Sequence, residues 1–445
     1  MHRNHAARGK RHHQTLALLA QLIPLAVPAL GHAATLTTIA TFNGANGLAP
    51  FAGLTIDSAG NLFGTTNWGG AANKGTVFEV AKGSGGYSLS TIATFDGTNG
   101  SYSRAVLFAD SAGNLFGTTN SGGAHDYGTV FELVKGSGGY TLSTLATFDG
   151  TNGISPNSAL IADSAGNLFG TTNSFGPGGA GTVFELVKSS GGYSISTLAA
   201  FSSNSGGNPV AGVIADNAGN LFGTTAGIGA TDAGTVFELV KGSSGYTLTT
   251  LATFNGTNGA APYGSLMADS AGNLFGTTYN GGANDKGIVF ELAKGSGGYV
   301  LSTLATFNGT NGANPAANLI ADSAGNLFGT TWAGGANNLG TVFELIKGSG
   351  GYTLSTLAAF NGTYGANAFG SLVADSAGNI FGTTVNGVAS GVYQITGSGF
   401  VTAGATQAVP EPAGLCLFGL SLVLLAGLHR SRAAKRLVDA ERLDD

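Results

Sequence analysis

Apolar residues in this chain come in short runs, not in helical stripes. Between Ala159 and Phe201 four runs follow one another: "ALIAD" from Ala159, "NLFGTT" from Asn167, "GTVFELVK" from Gly181 and "YSISTLAAF" from Tyr193. Each is rich in β-branched or aromatic residues and bounded by Gly, Ser or Asn clusters, the pattern of a strand between turns. The runs are partly continuous rather than strictly alternating, which implies strands covered on both faces.

This unit recurs. The phrase "DSAGNLFGTT" and its near copies place aspartates at Asp57, Asp110, Asp163, Asp216, Asp269, Asp322 and Asp375, every step being 53 residues. A second marker of the "GTVFELVK" type begins at Gly75, Gly128, Gly181, Gly234, Gly287 and Gly340, and shortens to "GVYQIT" at Gly391. Repeats of this length point to propellers or arrays. Four antiparallel strands in each of seven units predict an all-β, seven-bladed β-propeller over 34–398, with an open β-solenoid as the alternative. The ends favour closure. "TLTTIATF" at Thr35 is a fourth strand without a preceding blade, and "GVYQIT" is a third strand without a following fourth. Pairing them completes the last blade from both ends.

Within "DSAGN" each residue has a local task. Asp accepts backbone N–H groups two or more residues on, and Gly takes the left-handed conformation that a three-residue hairpin loop needs. The competing reading, a ring of metal ligands, fails on spacing, because equivalent turns lie far apart around one face whereas a hard cation needs several oxygens within about 2.6 Å. Gly64 and its equivalents stand inside strands, where Gly marks the close approach of another backbone. Glu79, Glu132, Glu185, Glu238, Glu291 and Glu344, with Gln394 last, are expected to lie between blades and accept hydrogen bonds.

Composition narrows the function classes. Gly supplies 77 of 445 residues and charged residues only 9%, too apolar for disorder and too poor in charge for long surface helices. From Ala34 to Ala408 there are 18 acids and 9 bases. An acidic body without basic clusters argues against nucleic acid and against anionic lipid headgroups as partners. The body holds no cysteine and one histidine, His125, so triads and zinc sets built on His or Cys are largely excluded. No cofactor and no metal are expected.

The ends carry addressing signals. Residues 1–33 have a basic start, an apolar stretch and small residues at Gly31 and Ala33, a Sec-type signal peptide pattern with cleavage near Ala33. After a 399–408 linker, residues 409–436 combine Pro410, Glu411 and Pro412, an apolar segment from Ala413 to Leu428 that holds the only cysteine, Cys416, and the basic residues Arg430, Arg432, Lys435 and Arg436. A polar tail, 437–445, follows. Residues 409–436 resemble the PEP-CTERM sorting signal of Gram-negative bacteria. That resemblance implies an exosortase-type sorting protease as partner, a transient inner-membrane anchor through the C-terminal helix, and delivery to the cell surface or extracellular matrix. The repeats, with "GTVFEL" and "D-x-x-G-N-L-F-G-T-T" carried from about Thr35 to Thr396, resemble the GloVer tandem-repeat proteins, which are exported and carry varied anchors.

Differences among the seven units concentrate in two loops: the one joining the fourth strand to the next blade, and the one joining strands two and three. In a propeller both belong to one face, and the near-constant "DSAGN" and "KGSGGY" turns belong to the other. A local function is therefore expected on the variable face. Candidates there are Trp68, Tyr102, Arg104, His125, Asp126, Tyr127, Tyr263, Tyr279, Asp285 and Trp332. Aromatic rings with scattered amides and carboxylates suit carbohydrate or peptide contact. Asn73, Asp126, Asp232, Asp285 and Asn338 share one phase of the strand two to three loop and read chiefly as turn residues. The leading expectation is a noncatalytic binding or structural module with exopolysaccharide or another surface protein as partner. The alternatives are a polysaccharide-active enzyme in which Asp126, Asp232 and Asp285 approach the central opening, and a scaffold that provides only bulk and spacing.

Overall fold

The computed structural model describes residues 34–202, 206–227, 233–387 and 390–402. Within them, seven four-stranded antiparallel sheets form the blades of a β-propeller. In blade three the strands run Ile161–Ala162, Leu168–Thr172, Thr182–Ser189 and Gly192–Ala200, from the axis outward. The innermost strand is shorter than the run "ALIAD" predicts. Residues ahead of it bond to neighbouring blades instead: the Ser158 carbonyl accepts the Thr118 hydroxyl at 3.1 Å, and Thr171 in turn donates to the Ala211 carbonyl at 2.8 Å. The same threonine latch recurs around the ring and closes it from Thr383 to the Ala52 carbonyl at 2.8 Å.

Closure follows the expectation from the chain ends. Strand Thr35–Thr41 pairs antiparallel with Gly391–Thr396, Thr35 opposite Thr396, and becomes the outer strand of blade seven. It even reproduces the register shift of the other blades, between Thr38 and Ala40 here and opposite Val183 and Phe184 in blade three.

The core lies between blades rather than within them. Seven clusters of buried apolar residues each join two neighbours; one contains Ala40, Phe42 and Val392 of blade seven with Leu54, Leu62, Phe78 and Val80 of blade one. A phenylalanine after each outer strand packs on the third-strand aromatic of the next blade, edge to face in Phe148 with Phe184 at 5.1 Å between centroids. Such pairs add specific geometry to burial. The strand glycines serve this ring of aromatics. A Cβ on Gly170 would stand 2.7 Å from Phe184 Cζ, its cross-strand partner. The close approach expected at Gly64 and its equivalents is thus made by an aromatic ring of the same sheet, not by another backbone.

In blade seven the third-strand aromatic is Tyr393, fully buried against Phe360, and its hydroxyl has no hydrogen-bond partner among the described residues. Burial pushes this phenol far above its ordinary value. An unsatisfied buried hydroxyl costs about 1–3 kcal/mol, and phenylalanine fills the same position in the other six blades. Tyr393→Phe is therefore expected to stabilise the protein by about 1–2 kcal/mol, seen as a higher urea midpoint at unchanged m-value.

The constant face confirms the turn reading. Asp163 Oδ1 accepts the backbone N–H groups of Ala165 and Asn167, both at 2.9 Å, while Oδ2 accepts the Asn167 side-chain amide. Gly166 has φ of 82°. With each carboxylate oxygen engaged by its own loop, the phrase is a folding element.

The interblade glutamates depart from expectation, for no hydrogen bond reaches them among the described residues. Desolvation, then the Asp110 carboxylate, raises the Glu132 pKa, while Lys188 of the next blade opposes the rise. Glu344 is more buried, and Phe400 stands where the opposing lysine recurs, packing on Phe328. Its pKa is raised by desolvation and then by Asp322. A carboxylate with a raised folded-state pKa favours the protonated form in the fold, so its cost is absent below the unfolded-state value and complete above the folded-state one. Glu344→Gln, which copies Gln394, is expected to raise stability at pH 7 by about 0.5–1 kcal/mol. The gain should vanish as pH falls below about 4, measured by chemical denaturation across pH.

Candidate functional site

The 53-residue step places two concentric rings on the variable face. The inner ring borders an axial cavity of about 120 Å³ and consists of Phe51, Arg104, Asn157, Val210, Tyr263, Ala316 and Phe369. Each of these residues lies just ahead of an innermost strand. Behind them, small residues such as Ala52, Ser158, Ala211 and Gly370 let adjacent blades approach the axis. The outer ring occupies the first position after each second strand: Asn67, Asn120, Asn173, Ala226, Tyr279, Trp332 and Val385.

A residue of the outer ring can reach the inner-ring residue of the next blade. Arg104 Nε donates to Asn67 Oδ1 at 3.0 Å, Asn120 Nδ2 donates to Asn157 Oδ1 at 2.8 Å, and Trp332 packs on Phe369 at 5.8 Å. Tyr279 has Ala316 as its counterpart and turns to Tyr263 of its own blade instead, at 5.2 Å. Burial, with Tyr263 beside it, pushes the Tyr279 phenol up.

The largest aromatic group forms where blades six, seven and one meet. Phe51 stacks against Trp332 at 6.3 Å with 9° between planes and meets Trp68 edge to face at 6.3 Å. Phe369 lies perpendicular to both Phe51 and Trp332, 5.8 Å from each. The Arg104 guanidinium sits 5.0 Å above the Phe51 ring. Desolvation lowers the Arg104 pKa, but a guanidinium stays charged at any physiological pH. Trp68 is held by a two-residue bridge in which its N–H and carbonyl pair with Leu48, at 3.0 and 2.7 Å. Both side chains project outward, each 41% exposed. Large exposed apolar residues gathered in one place mark interaction sites.

The other candidates divide. Tyr102 takes a left-handed backbone (φ 59°) that its equivalents Ala49, Ser155, Asn208, Ala261, Asn314 and Asn367 share, and Lys74 Nζ lies 5.0 Å from its ring centroid. Asp126 and Asp285 are also left-handed, and each Oδ1 accepts a backbone N–H of its own loop, from Gly122 at 2.7 Å and Gly281 at 2.8 Å. Asn73 and Asn338 make the same bond, which is the turn chemistry read from their shared phase. His125 and Tyr127 are exposed on the same loop as Asp126. Among the described residues, the axial cavity has no carboxylate in its lining. Asp232 and the sorting-signal residues Pro410, Glu411, Pro412, Arg430 and Arg432 lie outside the described residues.

Phe51, Phe369 and Asn67 do not stand out in the sequence, though a signal for them is present. They share a repeat phase with Arg104, Tyr263 and Trp332, and alignment on the 53-residue step exposes them.

The Gloeobacter/Verrucomicrobia repeat family matches residues 29–237 and 213–403, which together span the whole propeller. The chain belongs to this family. No curated protein matches it. Among solved structures, this family member is similar to an extracellular domain from B. thetaiotaomicron at 11% identity and a TM-score of 0.51, over 80% of this chain and 40% of that one. It is also similar to a candidate 6-phosphogluconolactonase from Bacteroides uniformis, at 13% identity, TM-score 0.49, covering 73% and 88%. A chain of a nidogen/laminin complex aligns at 17% identity, TM-score 0.42, covering 70% and 96%. At these identities the likeness is one of fold. The family member spans two fifths of the B. thetaiotaomicron chain.

Proposed function

We propose that this chain is a noncatalytic binding module that presents the variable face of its propeller to a glycan at the cell surface or in the extracellular matrix. One observation carries the reading: Phe51, Trp68, Trp332 and Phe369, contributed by three blades, form a single aromatic group beside the axial cavity. Flat apolar rings bordered by amides and hydroxyls, here those of Asn157, Ser265, Asn318 and Ser371 around the cavity, match the alternating C–H faces and hydroxyl edges of a pyranose. A hydrolytic reading has less support, since Asp126 and Asp285 serve their own loops and the cavity lining brings no carboxylate pair. The terminal segments support delivery by Sec export followed by sorting with an exosortase-type protease. The mass and location of the mature protein, with and without residues 409–436, test that route.

Glycan arrays with the purified protein test the binding reading. Trp68→Ala and Trp332→Ala are each expected to weaken any glycan captured by about tenfold or more, as loss of a central aromatic contact does. Capture that is indifferent to both changes would move the site elsewhere, no capture would favour the scaffold, and product formation would sink the noncatalytic view.

A further inference from the structure

Charge on the variable face is not evenly spread. Loops of blades two to five carry Asp126, Asp149 and Asp285, with Lys286 and His125. The arc from blade six through blade seven to the entry of blade two carries Lys74 and Arg104 and one carboxylate, Asp96, which is held by Thr98 and Asn99 of its own turn. The aromatic group lies on this acid-poor arc. Arg104 spends only Nε on the protein, through Asn67, and its terminal amino groups make no hydrogen bond among the described residues. Its side chain is exposed as a whole, while the guanidinium, seated above Phe51 on the rim of the axial cavity, is partly desolvated.

We propose that the glycan bound here is acidic, with an anionic sugar unit, a carboxylate or a sulfate ester, paired to Arg104 while a neighbouring ring lies against Trp68. This rests on the glycan reading above. A guanidinium fixed through Nε presents its two terminal amino groups as a planar fork, the geometry that two oxygens of one anion accept together. Seating over Phe51 orders the fork before the ligand arrives, so less freedom is lost on binding. Hydroxyls and amides of Asn157, Ser265, Asn318 and Ser371 around the cavity suit sugar hydroxyls, whereas an extended acidic peptide would call for a strand edge or groove.

The test is calorimetric titration of the full-length chain with galacturonan oligomers, the same oligomers after carboxyl reduction, a sulfated oligosaccharide and poly-glutamate. Acidic oligomers should bind at least about tenfold tighter than the reduced ones, and the preference should shrink at high salt. Arg104→Gln should remove about tenfold to a hundredfold of acidic-sugar affinity and bring the ratio of acidic to reduced-oligomer affinity close to one, with an unchanged melting temperature. Should that variant fail to fold, Arg104→Lys carries the test, since a point charge without the fork is expected to lose most of the preference. Equal affinity for reduced and acidic oligomers would overturn the anionic assignment and leave glycan binding standing. Poly-glutamate binding as tightly as the sugars, or no sugar binding at all, would overturn both. Carboxylated and sulfated arms that respond alike to Arg104→Gln both support the proposal, and their ratio identifies the anion.

Discussion

Removal of residues 34–42 is expected to abolish the cooperative fold. The deletion takes away the outer strand of blade seven and its ladder with Gly391–Thr396. It also removes Phe42 from its edge-to-face contact with Phe78, 4.9 Å away, and Ala40 and Phe42 from the cluster that joins blades seven and one. Loss of one buried phenylalanine costs about 3–5 kcal/mol, and a folded domain is stable by only about 5–15 kcal/mol in total. The open edge left on blade seven would in addition template intermolecular pairing. Far-UV circular dichroism, limited proteolysis and light scattering should report loss of protection and aggregation. A circular permutant supplies the control. In the other blades the third and outer strands are joined by a tight hairpin, as at Gly83 and Gly86, and Thr35 lies opposite Thr396. Placing residues 34–42 after Thr396 through such a turn should restore folding. Because Phe51 and Trp68 meet Trp332 and Phe369 only across this closure, the deletion should also eliminate glycan capture, and the permutant should return it.

Phe184→Ala carries the second large effect. Phe184 is fully buried, packs on Phe148 of the preceding blade, and covers a strand position, Gly170, that has no side chain of its own. The facing strand position has no side chain to fill the vacated space, which puts the cost near the upper part of the range for such truncations, about 4–5 kcal/mol. Gly170→Ala alone should also destabilise, by about 1–3 kcal/mol, because its methyl collides with the Phe184 ring. In the double variant the collision with the ring is gone, only the flexible end of Leu160, 2.9 Å away, must still give, and the methyl occupies part of the cavity. Its loss should be smaller than the sum of the two single losses, by at least about 0.5 kcal/mol in a double-mutant cycle. Strict additivity in denaturant titrations would show that the strand glycine and the aromatic ring are not a pair.

Much of this architecture is legible in the chain. A constant 53-residue step, four short apolar runs per unit and mismatched ends lead to seven closed blades, because local turn chemistry and strand periodicity repeat without ambiguity. The role of "DSAGN" is legible for the same reason, since its hydrogen bonds close within five residues. Two features differ from what the sequence pattern predicts. Strand glycines mark the approach of a cross-strand ring, and Glu132 and Glu344 meet desolvation and like charge rather than donors. Both concern contacts between strands or blades, whose partners are far apart in sequence.

The candidate site was legible as a set of residue types on one face and no further. Trp68, Arg104 and Trp332 stand out in the sequence because they break the repeat, but they are separated by up to five repeat units, and Phe51 and Phe369 attract no notice beside them. Sequence by itself determined the repeat, the turn, the strand count and the face where variation gathers, since all of these depend on neighbours along the chain. Only the tertiary structure decided that blades six, seven and one bring four aromatic rings and one guanidinium together, because ring closure makes the ends of the repeat array adjacent.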